Sequence, residues 1–224
     1  MLSDHERNIS IGAPLEGEWK FLRPPGHHPF AFDFVKTDSS RQKTHSKNVL
    51  QFIFNKIPSK NYYCWEEPVI APVSGEVIRV GHDWDDHKYT SLWQTIKIWY
   101  NATYRFKPGK ENGILDIRPN VGNHVMIRSD NGFIVLLAHL KNNSISVKQG
   151  QRVSEGEPLG LVGNSGNSTA PHLHINLFDQ VEDPFSSKVL PFVFNAYQAL
   201  SSQGQWRECL ESVPQAGTCI KFCS

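Results

Sequence analysis

The sequence predicts an all-β protein, built mainly of strands with few short helices. Glycine (16 residues) and proline (14 residues) are frequent, and both residue types mark tight turns. The apolar runs between these turns are rich in β-branched and aromatic residues, which pack well on a pleated, half-buried surface. Short strands with regular glycine punctuation are predicted at residues 68–80 and 147–163, a spacing typical of all-β folds.

Length and charge limit the class of protein. The chain has 224 residues, enough for one large domain or two small ones. Its net charge is +1 and 20% of its residues are charged, so we expect neither nucleic acid nor an anionic membrane as its main partner. No apolar run approaches the roughly 20 residues of a transmembrane helix, so we expect no membrane span.

The first residues bear on the compartment. Residues 1–7 (MLSDHER) lack the apolar core of a signal peptide. We therefore expect either a cytoplasmic chain or a mature cell-envelope or secreted form whose targeting segment is missing.

An acidic residue lies among aromatic residues near the start of the chain. A turn at residues 24–26 (PPG) precedes His27 and His28, and a strand with alternating phenylalanines follows, with Asp33 inside it. Such a carboxylate is costly to bury unless it is paired or bound to a metal. The alternative is an aspartate on the solvent face of an edge strand. Together with histidines later in the chain, these residues supply the three ligands of an open zinc site.

Residues 122–140 are predicted to form a β-hairpin. Its turn contains Asn131-Gly132, a strong hairpin signal, and its second strand is wholly apolar up to His139. A lone histidine in that position is usually a core residue, but a strand end is also where a rigid scaffold presents a catalytic group. We interpret His124, at the start of the first strand, as a surface residue.

Two histidines follow a turn-rich segment late in the chain. Residues 163–170 (GNSGNSTA) predict turns, and a strand is predicted to begin at or just after Pro171. Because strand residues i and i+2 share a face about 7 Å apart, His172 and His174 project together while Leu173 faces the core. This pattern predicts a metal and acid–base platform, the alternative being a pair of half-exposed strand histidines.

Two further segments are interpreted as accessory. Residues 81–120 are predicted to be irregular, and the histidines and aspartates at 82–87 are interpreted as a solvated turn rather than a metal site. Residues 201–224 are interpreted as a polar tail that carries three of the four cysteines, docked by a short helix near residues 206–210. The cysteines predict no structural zinc site. They are either reduced or joined in one late disulfide.

Taken together, the motifs resemble the lysostaphin-type (LytM-like) zinc metallopeptidases. The resemblance rests on four segments in the family's order, namely residues 27–33, 71–77 (APVSGEV), 138–140 (AHL) and 163–174 (GNSGNSTAPHLH). The last motif is the most specific. The resemblance spans roughly residues 14–195, and we assign residues 1–200 to a domain of this kind and 201–224 to the tail.

The resemblance implies a compact antiparallel β-sheet fold with a groove, the duplicated hybrid motif. It also implies a zinc ion held by His28 or His27, by Asp33 and by His174. The family often places its first histidine four residues before the aspartate, where this chain has Pro29. The ligand must therefore be His28 or His27, and we favour His28.

The resemblance further implies that His139 and His172 flank the water that attacks the substrate. Leu137 stands where the family commonly has an aromatic residue, two positions before the catalytic histidine. Zinc lowers the pKa of its water toward ~7 and polarises a peptide carbonyl. A neutral histidine then takes the proton of the water and passes it to the leaving amine, while the other histidine stabilises the oxyanion.

The resulting hypothesis is a monomeric zinc endopeptidase that hydrolyses peptide bonds in peptidoglycan cross-link peptides. One alternative is a non-catalytic relative that acts as a binding or activator module. Such a relative is recognised by missing ligands, and here every required residue type is present. A second alternative, a lipoyl- or biotinyl-like carrier domain, explains the glycine turns but needs an exposed lysine in a hairpin turn, which is not evident.

Overall fold

Strands are the main secondary structure, as predicted. The computed structural model describes residues 9–24, 27–47, 56–100, 109–111, 114–179 and 187–223. The strands are β1 (Ile9–Ile11), β2 (Gly17–Leu22), β3 (Phe32–Val35), β4 (Ile57–Pro58), β5 (Pro68–Ile70), β6 (Gly75–Gly81), β7 (Tyr89–Thr90), β8 (Gly109–Glu111), β9 (Ile114–Asp116), β10 (Asn123–Ser129), β11 (Ile134–Leu140), β12 (Arg152–Val153), β13 (Pro158–Leu161), β14 (Leu173–Phe178), β15 (Val189–Leu190), β16 (Phe192–Leu200), β17 (Trp206–Ser212) and β18 (Cys219–Phe222). The helices are α1 (Leu92–Tyr100), α2 (Arg118–Val121) and a 3-10 turn at Ser59–Asn61.

One large sheet organises the described part of the chain. It has 12 strands, in the order β1-β16-β18-β2-β3-β14-β11-β10-β6-β12, with β15 paired to β14 and β17 paired to β16. The pair β1–β16 is parallel, and the strands that matter for the site, β3, β14 and β11, pair antiparallel with one another. The all-β prediction is confirmed, and the three site strands lie side by side within the sheet.

The hairpin predicted at residues 122–140 is present as β10 and β11, which pair antiparallel. At its turn, Gly132 has φ 92° and donates its N–H to the carbonyl of Ser129 at 2.9 Å. This left-handed conformation costs glycine little because glycine has no Cβ. All seven residues of β11 are buried, which accounts for its continuous apolar sequence.

The two faces of β14 have different chemistry. Leu173, Ile175 and Leu177 are fully buried and join the main hydrophobic core. On the other face, Phe178 joins a smaller apolar cluster with residues of β10 and β11. His174 shares that second face because strand side chains alternate. The sheet therefore holds His174 between a packed core beneath it and an apolar cluster beside it.

Aromatic side chains pack against one another in the main core around β3. The Phe21 and Phe32 rings are 5.0 Å apart, and Phe34 lies 5.9 Å from both Phe194 and Phe222. Aromatic pairs at such distances add to the stabilisation that comes from buried area. These contacts join β2, β3, β16 and β18, so the last strand of the chain is part of the core beneath Asp33.

The short helix predicted near residues 206–210 is wrong. That segment is β17, a largely exposed strand that pairs antiparallel with β16, and β18 pairs with both β16 and β2. Ile220 is fully buried and Phe222 is 2% exposed. Residues beyond 200 therefore complete the sheet, and their polar sequence reflects the solvent face of an edge strand. All four cysteines are free.

Two other interpretations also need correction. His124 is fully buried in β10 rather than at the surface, where its ring lies against Gly81 of β6 and its Nδ1 is 2.8 Å from the Gly122 carbonyl. Within the region interpreted as irregular, α1 begins after Ser91, whose Oγ accepts the N–H of Gln94 at 3.3 Å. A serine at that position caps the free N–H groups of a helix start. Among the described residues, no helix has the length and apolar character needed to cross a membrane.

Candidate metal centre

The site begins where a turn-rich loop enters β14. His172 lies just before the strand and His174 lies within it. Both imidazoles project from the same face because the residues are two apart, while Leu173 between them is fully buried on the opposite face. The strand predicted to begin at or just after Pro171 is confirmed, and it orients the two histidines together.

The neighbours of β14 supply two more groups. In the sheet register, His174 is opposite Asp33 of β3 on one side and opposite Ala138 of β11 on the other. His139 follows Ala138 directly, at the end of β11. Sheet pairing thus brings three chemically active residues together from distant parts of the sequence.

Asp33 is the single carboxylate in this cluster and is 4% exposed. Its Oδ1 lies 2.8 Å from Nδ1 of His174 and its Oδ2 lies 3.4 Å from Nε2 of His172. Burial alone raises the pKa of the carboxyl, but the charge of His172 and the hydrogen bond and charge of His174 outweigh it, so the pKa lies well below its ordinary value. Asp33 is therefore an anion, which is the form that binds a metal.

The two adjacent histidines before β3 have different surroundings. His27 Nδ1 lies 3.8 Å from Asp33 Oδ1, and the His27 and His174 rings are 5.3 Å apart. His28 instead packs against the ring of Phe30, and its Nδ1 accepts the Phe30 N–H at 3.3 Å. The structure therefore brings His27 to the cluster and places His28 outside it, although His28 was favoured from the sequence.

His139 is held in an unusual backbone conformation. Its φ is 61°, in the left-handed region where a non-glycine residue is uncommon. Nδ1 lies 2.8 Å from the carbonyl oxygen of Ser165, so Nδ1 carries the proton and donates it, which leaves Nε2 as an acceptor. Burial and the nearby charges of His172 and His174 place the pKa of His139 well below its ordinary value. The ring is neutral at pH 7.

His172 is fixed by its other nitrogen. Its Nδ1 donates to the carbonyl oxygen of Ala170 at 2.7 Å, so Nε2 points to the site. That Nε2 is buried and makes no hydrogen bond to any described residue. The rings of His172 and His139 are 4.6 Å apart. Two imidazoles thus offer free nitrogen atoms to the same small space.

The donor atoms fit a metal ion. Two overlapping sets, His27 with Asp33 and His174, and His139 with His172 and His174, each have ligand atoms within 4.8 Å of one another. Two imidazoles and one carboxylate form a common zinc ligand set that leaves a position open. A buried carboxylate surrounded by imidazoles, one of them with an unpaired buried nitrogen, is the environment such an ion satisfies.

Asn176 was missed in the sequence. Its Oδ1 lies 3.2 Å from Nε2 of His174 and accepts from it, while Nδ1 of His174 donates to Asp33 Oδ1 at 2.8 Å. With an ion bound in place of that second contact, an Nε2–H held by Asn176 would leave the lone pair of Nδ1 for the ion. Such outer partners fix the tautomer of a ligating histidine. Asn176 lies two residues after His174, so the alternation of β14 places it on the site face, and this was the signal available in the sequence.

Other histidines lie away from this cluster. His45 packs its ring against Tyr62, and His82 pairs with Asp83 at the surface. His87 reaches the loop before β14, where its Nε2 lies 2.8 Å from the carbonyl of Gly166. Within the described residues, no metal cluster forms in the segment at 82–87.

Comparison with known proteins identifies a family segment. Residues 111–184 match the model of Peptidase family M23. This range, one third of the chain, contains His139, His172 and His174 but not His27 or Asp33. The matched segment therefore contains three of the five cluster residues, and Asp33 of β3 and His27 before that strand lie outside it.

Curated relatives match over a short stretch. The peptidoglycan DD-endopeptidase ShyA of Vibrio cholerae is 46% identical over 59 residues, which is 26% of this chain and 13% of that protein. The DD-carboxypeptidase/endopeptidase Mpg of Neisseria meningitidis is 53% identical over 53 residues, 24% of this chain and 12% of that protein. Among solved structures, the catalytic domain of lysostaphin from Staphylococcus simulans is 17% identical with a TM-score of 0.40, covering 81% of this chain and 88% of that one.

Proposed function

We propose that this chain, whose residues 111–184 match Peptidase family M23, is a zinc-dependent endopeptidase that hydrolyses peptide bonds in peptidoglycan cross-link peptides. The observation that carries the proposal is the convergence of one buried carboxylate and four imidazoles on one face of the sheet. The substrate class is supported by the short match to ShyA, which is named as a peptidoglycan DD-endopeptidase.

Three residues would hold the metal in this proposal. His27, Asp33 and His174 form a compact set with ligand atoms within 4.8 Å of one another. A zinc ion bound there supplies a Lewis acid for the peptide carbonyl and makes water a stronger nucleophile at neutral pH. By accepting from Nε2 of His174, Asn176 would favour the tautomer in which Nδ1 binds the ion in place of its contact with Asp33.

His139 and His172 carry the protons in this proposal. His139 is neutral, and its Nδ1–H is committed to Ser165, so its Nε2 can take a proton from water. His172 also directs a free Nε2 into the site because its Nδ1 is bound to Ala170. With ring centres 4.6 Å apart, the two can act on one water and one carbonyl. One accepts the proton and returns it to the leaving amine, and the other stabilises the oxyanion when its Nε2 carries a proton to donate.

The test is hydrolysis of purified peptidoglycan by zinc-loaded protein, followed as the release of new amino termini with and without a chelator. His139→Ala and His172→Ala are expected to keep zinc but to lose turnover by roughly 10²–10⁴-fold each, the range for a general acid–base group. The losses should not add, because both residues act on the same event. The matched control is His82→Ala, since His82 is exposed and contacts only Asp83 among the described pairs.

Two outcomes would contradict the proposal in different ways. Zinc-loaded parent protein that cleaves neither DD-cross-linked peptides nor glycine-rich bridges would favour the binding-module alternative. Variants at His139 and His172 with parental turnover would leave a peptidase whose base lies elsewhere.

A further inference from the structure

Asp86 lies outside the metal cluster, yet both of its carboxylate oxygens contact the segments that hold His139. Oδ1 accepts the backbone N–H of Asn164 at 2.6 Å, and Oδ2 accepts the backbone N–H of Asn142 at 2.8 Å. Asn142 follows His139 by three residues. Asn164 directly precedes Ser165, whose carbonyl accepts the proton of His139. The Asp86 side chain thus links the two segments on which the orientation of His139 depends, and we call this pair of hydrogen bonds the clip.

His139 needs such support because its backbone is strained. A non-glycine residue at φ 61° persists only where the surrounding structure determines it, at a cost on the order of 1–3 kcal/mol. The carbonyl of the next residue, Leu140, accepts from Ser165 Oγ at 2.8 Å and from Asn123 Nδ2 at 3.1 Å. The carbonyl of His139 itself accepts the N–H of Gly163 at 3.0 Å. The loop at 163–165 is therefore the partner that holds His139 in place.

The segment that carries Asp86 is fastened to the same loop at further points. Asp86 and Ser165 form an isolated β-bridge. The next residue, His87, donates its N–H to the carbonyl of Asn164 at 3.0 Å, and its Nε2 donates to Gly166. The fit around the clip is close, since a Cβ added to Gly163 would lie 2.6 Å from Asp86 Oδ1. These contacts indicate that Asp86 holds the loop at 163–165 in position and is not simply a solvated surface residue.

We propose that Asp86 is a positioning residue for His139: its carboxylate fixes the peptide between Gly163 and Asn164, directly before Ser165, and the Ser165 carbonyl then sets the tautomer and direction of the His139 ring. This inference rests on the proposed function, in which His139 moves a proton. Among the described residues, no hydrogen bond or ion pair joins Asp86 to the proposed metal ligands, so it acts through the backbone of residues 142 and 164.

The test compares Asp86→Asn with Asp83→Asn in zinc-loaded protein. Asparagine keeps the size of the side chain but turns an amide NH₂ toward one of the two backbone N–H groups, so one of the two bonds is lost. Asp83 is the matched control, because it lies in the same segment, is exposed and pairs only with the neighbouring His82 among the described residues. We expect Asp86→Asn to lower kcat by about 10–100-fold, the scale of a displaced catalytic group. KM should stay within about twofold and zinc content should be unchanged, as for a residue that acts on geometry alone.

A second readout is independent of turnover. In ¹⁵N-histidine-labelled protein, the Nδ1–H of His139 should give a slowly exchanging resonance, assigned by its absence in His139→Ala. Asp86→Asn should broaden or remove that resonance, and Asp83→Asn should retain it. If Asp86→Asn does not fold, Asp86→Glu keeps the charge, displaces the carboxylate by one methylene and should show the same loss.

The outcomes separate this inference from the proposed function. If the parent protein cleaves no peptidoglycan, the proposed function is contradicted. The Nδ1–H resonance of His139 still tests whether Asp86 positions that ring. An Asp86→Asn variant with parental kcat and an intact Nδ1–H resonance would overturn the inference. So would equal losses in the Asp83→Asn control, or failure of both Asp86 variants to fold.

Discussion

At the level of single residues, the proposed first metal ligand depends on which of two adjacent histidines lies toward Asp33. His27 lies 3.8 Å from the carboxylate, whereas His28 packs on Phe30 at the surface. We predict that His27→Ala weakens zinc binding by at least about 100-fold, since even the loss of an outer partner of a ligand costs about 10–100-fold. His28→Ala should bind zinc as tightly as the parent. Zinc content after dialysis against a competing chelator measures both.

These two variants control for each other, because they remove the same side chain one residue apart. The reverse result, zinc lost with His28→Ala and kept with His27→Ala, would restore the ligand favoured from the sequence. Loss in neither variant would mean that Asp33 and His174 bind the ion with a different third group.

His124 offers a second prediction at this scale, on stability rather than chemistry. Burial lowers its pKa from 6.5 to about 4, although its hydrogen bond to the Gly122 carbonyl acts in the opposite direction. Below pH 6.5 the unfolded chain takes up a proton at this position that the folded chain does not. The free energy of unfolding should therefore fall as pH drops from 6.5 toward 4, with the His124 contribution levelling off below that, by on the order of 2–3 kcal/mol.

The measurement is urea unfolding at several pH values between 7 and 4, for the parent and for His124→Gln. Glutamine can still donate to Gly122 but does not titrate. The variant is expected to be less stable at pH 7 and to lose less stability on acidification. A variant whose stability falls with pH as steeply as the parent's would show that other groups cause the acid sensitivity.

At the level of elements, β18 decides whether residues 201–224 can be removed. It pairs with β2 and β16 and buries Ile220 and Phe222 in the main core. Losing two large buried side chains costs about 2–5 kcal/mol each, comparable with a whole domain's stability of about 5–15 kcal/mol. We predict that a chain ending at residue 200 does not fold to a soluble form, because the edges of β2 and β16 are also left open.

The control for that truncation ends at Phe222 and removes only Cys223 and Ser224, which leaves β18 whole. It should show parental solubility, thermal unfolding and zinc content. A soluble chain ending at residue 200 with cooperative unfolding would mean that the last two strands are an addition to a fold complete without them.

At the level of the whole molecule, the three residues proposed to bind the metal lie in separate parts of the sheet. His27 precedes β3, Asp33 lies within β3 and His174 lies in β14, so an ion held by all three should oppose unfolding. Binding to the folded state alone adds about 2.7 kcal/mol when free zinc is 100 times its Kd. We predict a higher unfolding temperature with zinc than with a chelator, and little change with calcium, which prefers six to eight oxygen ligands.

Asp33→Asn provides the control for this linkage, because it keeps the shape of the side chain and removes the charge that neutralises the ion. Its unfolding temperature should respond much less to zinc. An equal response in Asp33→Asn and the parent would place the stabilising ion elsewhere in the chain.

The sequence by itself determined the features that depend on local periodicity. Alternation placed His172 and His174 on one face of a strand, the Asn-Gly turn defined the β10–β11 hairpin, and glycine punctuation indicated an all-β chain. The same alternation contained the signal for Asn176. These features need only the pleat of a strand and the backbone preferences of turn residues, which a short stretch of sequence fixes.

Only the tertiary structure decided which residues lie opposite one another across the sheet. The register that sets Asp33 opposite His174 joins residues far apart in the chain, and no local pattern encodes it. The choice of His27 over His28, the burial of His124 and the clip from Asp86 to Asn164 likewise depend on which segments pack together. A strand's period reveals which face a side chain takes, but its partner on that face is fixed by long-range packing, since core burial sets the register of paired strands.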